Sequence, residues 1–547
     1  MSLPQFSLQG SLYSVDVLLG DQFPPDNRYR LFATHIHPLL IKARPALESA
    51  YCHDNGRPGV EPVVLLGVSL LQFMERVPDR KAVEMLEYHV GWKLALGLGL
   101  ELKAFDPTTL VHFRQRLIEH DQAKLAFDAV LEGLRSAGLV PKRSKQRLDS
   151  THVLGAVARL SLLELLRETT RLALLELHEH ADLPRPPFWA ALWERYVESK
   201  VDYRLEDSTL RDKQLQAGQD ITLLLAWVQE QVAGVVQGKQ VQLLKRVLGE
   251  NFQSEDGKLV LHSQPATAVK NPHDPDAVWC TKGTDGKKDW VGYKAQVAET
   301  VLGQPRQAGE PTATFITAIE TQLATGSDEA GMQQVLSEQA KSGMDKPSEM
   351  YVDGAYVSAQ SIIGARQEGW ELVGPAQEPS SKNKTFKSDA FDVDVENRTA
   401  ICPAGKTSTN CSRLEEKATG KVSFRFEWGG QCAGCPLKDQ CVSPGQDHRT
   451  LCVSQNHTVL QQRRREQKTE EFARRMRNRN AIEGTQSELV RGHGLRQARY
   501  RGLPKVRLQN YLIGAACNAK RWMSRLAWQL RRRIASAANP VTLQATT

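Results

Sequence analysis

Two aspartates lie inside runs of residues that favour β-strands. Asp149 lies within residues 147–153 and Asp353 within residues 350–356, and both runs are otherwise typical of strands. Aspartate is depleted in strands because its short side chain competes for backbone hydrogen bonds, so two such cases indicate a role beyond folding. A third acid, Glu483, follows Ile482 at a predicted helix start. We predict that folding brings these three carboxylates together at a metal site, because divalent cations such as Mg²⁺ prefer carboxylate oxygens.

Each acid also has a simpler interpretation. Asp149 is compatible with capping a turn, and Asp353 begins the common turn dipeptide Asp-Gly. Glu483 follows Asn480 by three residues, which is the spacing of a capping box. We favour the metal site because all three acids occur together, and because Gly484, which costs a helix about 1 kcal/mol relative to alanine, suits close approach of a ligand. Glu488 is the second candidate for the third acid.

The length of 547 residues indicates three or four domains. No run approaches the roughly 18 apolar residues of a membrane span, and the start of the chain does not have the pattern of a secretory signal. We therefore expect a cytoplasmic protein without a membrane anchor.

Positive charge is concentrated near the C-terminus. Residues 461–533 contain 20 Lys and Arg against 5 Asp and Glu, whereas the whole chain has a net charge of +8. Tyr500, Tyr511 and Trp522 are interleaved with these charges. A segment of this kind is typical of a polyanion-binding surface, and we favour nucleic acid as the partner over a merely solvated face.

The order of elements predicts an α/β fold with a mixed sheet. Strand patterns occur around Asp149, at 290–297, at 312–319, around Asp353 and at 371–373, with helices at 328–341 and from Ser358. The predicted domains are a helical N-terminal domain (1–140), a core (141–154, 285–374 and 480–535), a helical insertion (155–284), a Cys-rich insertion with a basic linker helix (375–479) and a flexible tail (536–547).

In the N-terminal domain, helices are predicted after Pro62, from Asp79 and after Asp106-Pro107. The last of these, residues 108–117, has an apolar face and places Arg114 and Arg116 on the opposite face. Two interpretations are open: helices that enter a DNA groove, or a packed bundle used for dimerisation.

The order Asp149, Asp353, Glu483, followed by the run 494–503, resembles bacterial insertion-sequence transposases of the DDE type, which belong to the retroviral-integrase-like superfamily. The resemblance covers nearly the whole chain. Its other motifs are Gly56-Arg57-Pro58, Val77-Pro78-Asp79-Arg80, residues 112–117, residues 290–294 and Asn518-Ala519-Lys520-Arg521.

This resemblance implies an RNase H-like core in which Asp149, Asp353 and Glu483 bind two Mg²⁺ or Mn²⁺ ions. The implied activity is cleavage at terminal inverted repeats and strand transfer to target DNA by in-line phosphoryl transfer. The implied partners are double-stranded DNA and a second copy of the chain, on the nucleoid of a bacterial cell. The alternatives are a metal-dependent DNA nuclease on the same fold, or a catalytically inactive DNA-binding protein from a decayed element.

Some related transposases carry Tyr-x2-Arg-x3-Glu-x6-Lys around the third acid. Here the four positions are Met476, Arg479, Glu483 and Val490, with Arg491 one residue beyond. Arg479, one turn before Glu483, is predicted either to orient the carboxylate or to contact phosphate, or else to form an ordinary surface ion pair. The residues predicted to bind DNA are Arg479, Arg491, Arg496, Arg499, Arg501, Lys294, Arg114 and Arg116.

Six cysteines lie between the last predicted core strand and Glu483, at 402, 411, 432, 435, 441 and 452. A single C-x2-C pair with further cysteines nearby resembles half a zinc ribbon. Two interpretations stay open for Cys402, Cys432, Cys435 and Cys441: a structural Zn²⁺ or free buried thiols. Cys52, Cys280 and Cys517 are predicted to pack in the core.

Overall fold

The computed structural model describes residues 3, 13–52, 59–199, 207–231, 237–282, 288–303, 307–379, 385–417 and 420–538. The motif Gly56-Arg57-Pro58 and residues 539–547 of the predicted tail lie outside these ranges.

A six-stranded mixed sheet lies at the centre of the chain. Its strands are β1 (Lys145–Leu154), β4 (Val278–Lys282), β5 (Lys288–Thr300), β6 (Ile316–Leu323), β7 (Glu349–Tyr351) and β8 (Glu371–Val373). Strand β1 is central, antiparallel to β5 and parallel to β7. On one side, β4 and β6 pair with β5, and on the other, β8 is parallel to β7. The two helices α14 (Asp328–Lys341) and α15 (Ala359–Gln367) follow β6 and β7.

The observed order agrees with the predicted one, with three differences. Strand β4 lies in the segment predicted to be a helical insertion, so the sheet is one strand wider. Strand β6 begins at Ile316 and not at 312, and its register with β5 shifts between Ala298 and Glu299. Strand β7 ends at Tyr351, so Asp353 follows the strand and does not lie within it.

The N-terminal region is helical, as predicted. Its helices are α1 (Val15–Leu19), α2 (Arg28–Leu31), α3 (His37–Lys42), α4 (Arg44–Glu48), α5 (Pro62–Glu75), α6 (Asp79–Tyr88), α7 (Val90–Ala95), α8 (Thr108–Glu119) and α9 (Leu125–Ser136). The starts of α5, α6 and α8 are at the predicted positions, and Asp106 Oδ1 accepts a hydrogen bond from the backbone N–H of Thr108 (2.8 Å).

A helix of 36 residues, α20 (Leu503–Ala538), joins this region to the sheet. It packs against β6 on one side and against α5 and α9 on the other. Its apolar residues Leu508, Leu512, Ala515 and Ala519 are buried. As a result, the N-terminal helices and one face of the sheet share a single hydrophobic core.

Residues between β1 and β4 form a second unit with its own core. It contains α10 (Leu162–His178), α11 (Trp189–Trp193), α12 (Asp207–Gln229), α13 (Lys239–Asn251) and a hairpin of β2 (Phe252–Glu255) and β3 (Lys258–Leu261). The prediction of helices is confirmed, but the hairpin was missed.

A third unit, here called the Cys module, spans residues 386–454. It contains β9 (Asp392–Asp394), β10 (Thr399–Ile401), β11 (Asn410–Glu415), β12 (Val422–Glu427), α16 (Lys438–Cys441) and β13 (Thr450–Ser454). Three helices then lead to α20: α17 (His457–Glu466), α18 (Glu470–Asn480) and α19 (Ile482–His493).

Two predicted side-chain environments were wrong. Arg114, expected on the outer face of α8, is buried because its guanidinium pairs with Asp79 and lies 4.9 Å from the centroid of the Tyr500 ring. Cys52, expected in the core, is exposed. Arg116 is partly buried and lies 4.2 Å from the centroid of the Tyr51 ring.

Within the described ranges, no helix is both long enough and apolar enough to cross a membrane.

Glu320 of β6 provides a test of the packing between the sheet and α20. It is 1% exposed, and burial raises its pKa to about 7, even though the Tyr511 hydroxyl donates a hydrogen bond to Oε2 (2.9 Å). Because the pKa is higher in the folded than in the unfolded chain, its contribution to stability is complete below about pH 4.5 and is lost as the pH rises to about 7.

We therefore expect the free energy of unfolding of the wild type to fall between pH 5 and pH 8 by roughly 2 kcal/mol more than that of Glu320→Gln. Urea unfolding at the two pH values measures this difference. Glu132→Gln, whose side chain is 62% exposed, is the matched control and should follow the wild type. Parallel pH profiles for Glu320→Gln and the wild type would contradict the assignment.

Candidate active site

The parallel register of β1 and β7 sets Asp149 and Asp353 side by side. Arg147 of β1 is opposite Tyr351 of β7. Asp149 lies two residues after Arg147, and Asp353 lies two residues after Tyr351. In a parallel pair, equal steps along both chains keep residues level. Two acids that are 204 positions apart in the sequence therefore meet at the carboxyl end of β7.

One guanidinium lies against both aspartates. Arg479 Nη2, from α18, is 3.0 Å from Asp149 Oδ2 and 3.8 Å from Asp353 Oδ2. The side chain of Asp149 is 13% exposed and that of Asp353 is 41% exposed, so the pair lies at the protein surface. The predicted meeting of these two acids is thus what the structure shows, and the position between them already holds a positive charge.

The other oxygen of each aspartate is fixed by the backbone. Asp149 Oδ1 accepts a hydrogen bond from the Ser150 N–H (2.8 Å), and Asp353 Oδ1 accepts one from the Ala355 N–H (2.9 Å). The turn-capping interpretation of Asp353 is therefore correct for one of its oxygens. In both residues the second oxygen, Oδ2, faces Arg479.

Glu483 is the second residue of α19 and is exposed. The N-cap of α19 is Ala481, and no side chain caps it, so the capping box of Asn480 and Glu483 does not form. One turn later, Gln486 Nε2 donates to the Ser150 carbonyl (3.2 Å), so α19 lies over β1 beside Asp149. Residues three apart share a helix face, which places Glu483 on the side of α19 that meets this strand.

The three predicted acids do not form a closed cluster. Among the described residues, one group of three or more metal-ligating side chains has its ligand atoms within 4.8 Å of one another, and it consists of Glu488, His493 and Cys517. The structure therefore brings Asp149 and Asp353 to one cation and leaves Glu483 nearby, without a hydrogen bond or ion pair to any described residue.

Glu488, the second candidate for the third acid, is engaged elsewhere. Its Oε2 lies 2.8 Å from Arg521 Nη2. Burial alone would raise the pKa of Glu488, but the charge and hydrogen bond of Arg521 lower it below its usual value. Nearby, burial lowers the pKa of His493 to about 4 and raises that of the Cys517 thiol, so both are neutral at neutral pH. Glu488, His493 and Cys517 therefore have the properties of packed core residues. Glu483, by contrast, is exposed and has no ion pair with any described residue.

A buried ionic network holds α19 against the sheet. Glu299 of β5 is fully buried and lies between Arg147 Nη2 (2.6 Å) and Arg521 Nη1 (3.0 Å). The Thr485 hydroxyl donates to Glu299 Oε2 (2.8 Å). Sequence reasoning missed this network, because the strand was predicted to end at residue 297, whereas β5 continues to Thr300 and contains Glu299.

A cavity of 690 Å³ adjoins this network. Its walls include Arg147, Arg477 and Arg521, together with Gly484 of α19. An added Cβ at Gly484 would meet nothing within 4 Å, so packing does not require glycine there.

The residues predicted to bind DNA fall into two groups. Several are held by the protein itself: Lys294 Nζ donates to the Gly326 carbonyl (2.8 Å), Arg496 Nη1 to that of His152 (3.0 Å) and Arg499 Nη1 to that of Val77 (3.0 Å). By contrast, Arg491 and Arg501 are exposed and have no ion pair with any residue in the described part of the chain. The same holds for Arg474 and Arg477 of α18.

Comparison with known protein families identifies two segments. Residues 401–523 match the family described as transposase DDE domain, and residues 17–116 match the transposase domain DUF772. No curated protein matches the chain. The chain thus carries a transposase DDE domain and is an enzyme of the polynucleotidyl transferase class. This domain implies an RNase H-like fold for the mixed α/β core, the use of a divalent metal ion and the binding of DNA.

We expect Glu299→Gln to destabilise the protein by about 3–5 kcal/mol, because it leaves Arg147 without a counter-charge in the interior. The urea midpoint of unfolding measures the change. Lys341→Gln breaks a pair with Glu338 in which the lysine side chain is 70% exposed, and it should cost under about 1 kcal/mol. Equal midpoints for the two variants would show that the network contributes nothing beyond a surface ion pair.

Proposed function

We propose that this protein is the transposase of an insertion sequence, and that it binds the terminal inverted repeats, cleaves the element ends and joins them to target DNA. The observation that supports this most directly is the pairing of Asp149 and Asp353 across a parallel register, with Oδ2 of both directed at one cation. The transposase DDE domain supplies the reaction class. The identity of the DNA ends and the strand-joining step belong to the proposal.

We infer that Asp149, Asp353 and Glu483 hold the divalent ions, with Mg²⁺ or Mn²⁺ as the preferred metals and two ions per site. The donor set fits, since all three side chains offer carboxylate oxygens and the contact of Arg479 with both aspartates indicates that the position between them favours positive charge. When bound, such ions stabilise negative charge on the attacking and leaving oxygens of an in-line displacement.

The protein's own contribution is positioning. The Ser150 and Ala355 N–H groups hold one oxygen of each aspartate and leave the other directed at the site. The network of Arg147, Glu299 and Arg521 fixes α19, and therefore Glu483, relative to β1. Side chains locked by such contacts on regular elements hold reacting groups more precisely than loops do.

Arg479 acts in this proposal as the counter-ion of the metal-free enzyme. Two carboxylates brought close together repel each other, and the guanidinium offsets this repulsion. Asp149 and Asp353 would hold a divalent ion in its place, and the Arg479 side chain would then be free to contact a DNA phosphate, the natural partner of a guanidinium.

The DNA surface follows from the exposed, unpaired arginines. Arg474 and Arg477 precede the Glu483 helix, Arg491 lies in its last turn and Arg501 follows it, so these arginines lie on both sides of Glu483 along the chain. Exposed cations of this kind bind the phosphate backbone without sequence preference. Arg491 takes the role of the lysine absent at Val490. Arg496, Arg499, Lys294 and Arg116 position protein segments in this proposal, and Arg114 is excluded as a DNA contact by its burial.

The test uses purified protein, labelled element ends and Mg²⁺. We expect Asp149→Asn, Asp353→Asn and Glu483→Gln each to abolish cleavage and joining, while binding to the ends in a mobility-shift assay stays within about twofold of the wild type. The loss arises because a neutral amide cannot replace a carboxylate ligand. Glu470→Gln, an exposed acid at the start of α18, is the control and should retain full activity.

Different outcomes identify the alternatives. Hydrolysis of the ends without joined products supports a nuclease on the same fold. Binding without any cleavage by the wild type supports an inactive protein from a decayed element. Normal cleavage by any of the three variants would remove that residue from the proposed site.

The role of Arg479 has its own test. In the absence of DNA, we expect Arg479→Gln to bind Mn²⁺ roughly fivefold more tightly than the wild type, since removing a competing cation is worth about 1 kcal/mol near the surface. Electron paramagnetic resonance of free Mn²⁺ measures the affinity. Arg474→Gln, on the same helix but not in contact with either aspartate, should leave it unchanged. Unaltered or weaker Mn²⁺ binding by Arg479→Gln would refute the counter-ion role.

A further inference from the structure

Four cysteines of the Cys module line one small cavity. Cys402 follows β10, Cys432 and Cys435 lie between β12 and α16, and Cys441 ends α16. The other cysteines of the module, Cys411 in β11 and Cys452 in β13, do not line this cavity. Four of the six cysteines in this module therefore lie around one cavity, and the other two lie elsewhere.

Two of the four cysteine positions are set by tight turns. The Cys402 carbonyl accepts a hydrogen bond from the Gly405 N–H (2.8 Å), and Gly405 has a φ of +74°. The Cys432 carbonyl accepts one from the Cys435 N–H (3.3 Å), with Gly434 at a φ of +69°. In each turn, a glycine in the left-handed conformation lets the backbone curl tightly around the cysteine at the first position.

Arg449 fixes the surroundings of Cys432 and Cys441. Its backbone N–H donates to Cys432 Sγ (3.5 Å), and its guanidinium donates to the carbonyls of Cys441 and Phe386 (both 2.9 Å). Contacts of this kind orient the side chains that ligate a metal.

The Cys module is also too small to rely on its core alone. It spans residues 386–454, its strands have three to six residues, and it has a separate cluster of buried side chains. Units below about 70–80 residues usually need disulfides or a structural metal. All nine cysteines of the chain are free thiols, so disulfides do not fill this need.

We propose that Cys402, Cys432, Cys435 and Cys441 together bind one structural Zn²⁺ ion. Four thiolates around one centre are the donor set of tetrahedral zinc or of an iron site. The four cysteines have the spacing C-x29-C-x2-C-x5-C and so join segments of the module between residues 402 and 441. No three of the four sulfur atoms lie within 4.8 Å of one another, whereas a Zn–S distance of about 2.3 Å requires them to be about 3.8 Å apart. The proposal therefore requires the cysteine side chains to turn toward one centre when the ion binds.

The zinc site has a consequence outside the module. Gln461 of α17 donates to the Phe391 carbonyl (2.5 Å), and Arg464 of the same helix pairs with Asp389 (2.7 Å). Helix α17 leads directly to α18, which carries Arg479. A module closed by zinc therefore supports the helices that lead to the two aspartates.

The test measures the metal content of the full-length protein, purified without added metal or chelator, by inductively coupled plasma mass spectrometry. We expect one zinc per chain in the wild type and at least a fivefold lower content in Cys432→Ser and Cys435→Ser. Cys411→Ser and Cys452→Ser are the matched controls and should keep the full content. The result does not depend on transposase activity, so it stands or falls separately from the proposed function.

A second measurement covers variants that fail to fold. Wild-type protein exchanged into Co²⁺ should show the absorption bands of a tetrahedral tetrathiolate site, and Zn²⁺ should remove them. A wild-type protein that contains less than one zinc per five chains, that contains iron in its place, or that shows disulfides among the four cysteines by mass spectrometry would overturn the proposal.

Discussion

The position of the candidate active site depends on one buried carboxylate. Glu299 receives charge-assisted contacts from Arg147 of the central strand and from Arg521 of the last helix, and a hydrogen bond from the hydroxyl of Thr485, on the helix that carries Glu483. A buried charge is very costly unless it is paired, so these segments are held in the one arrangement that pairs it. Apolar packing alone would tolerate small sliding of α19 along the sheet, but this network does not.

The remaining geometry follows from strand pairing. Because β1 and β7 are parallel and in fixed register, backbone pairing makes Asp149 and Asp353 level. Arg479 then sets the charge balance of the pair from a separate helix. Backbone hydrogen bonds thus determine where the carboxylates are, and a single long side chain determines whether the pair is neutralised. The positions of the two carboxylates are therefore fixed by the backbone, whereas their charge balance depends on one side chain.

Much of this fold could be predicted from local patterns. The helix at 328–341, the strand at 371–373 and the helix starts at Pro62 and Asp79 each depend on neighbouring residues, and the structure has them where they were expected. The meeting of Asp149 and Asp353 was also predictable, because an acid inside a strand pattern seldom serves the strand itself. The predicted place of Asp353 within its strand was wrong by two residues, since β7 ends at Tyr351.

The missed features depend on contacts between distant segments. Arg114 turns inward because Asp79, 35 residues earlier, offers it a carboxylate, and helical periodicity contains no record of that partner. The role of Glu299 requires Arg521, which is 222 residues away. Charged residues in apolar surroundings were the available signal for both ionic contacts, but the signal does not identify the partner.

Helix α20 contacts both the N-terminal helices and the sheet within one continuous core. At 36 residues it extends over about 54 Å, with no break at which its two ends are able to move independently. The helical region at the start of the chain is therefore held in a fixed position relative to the carboxylate pair. Nucleic acid bound to the helical region would therefore reach the carboxylate pair at a set spacing and angle.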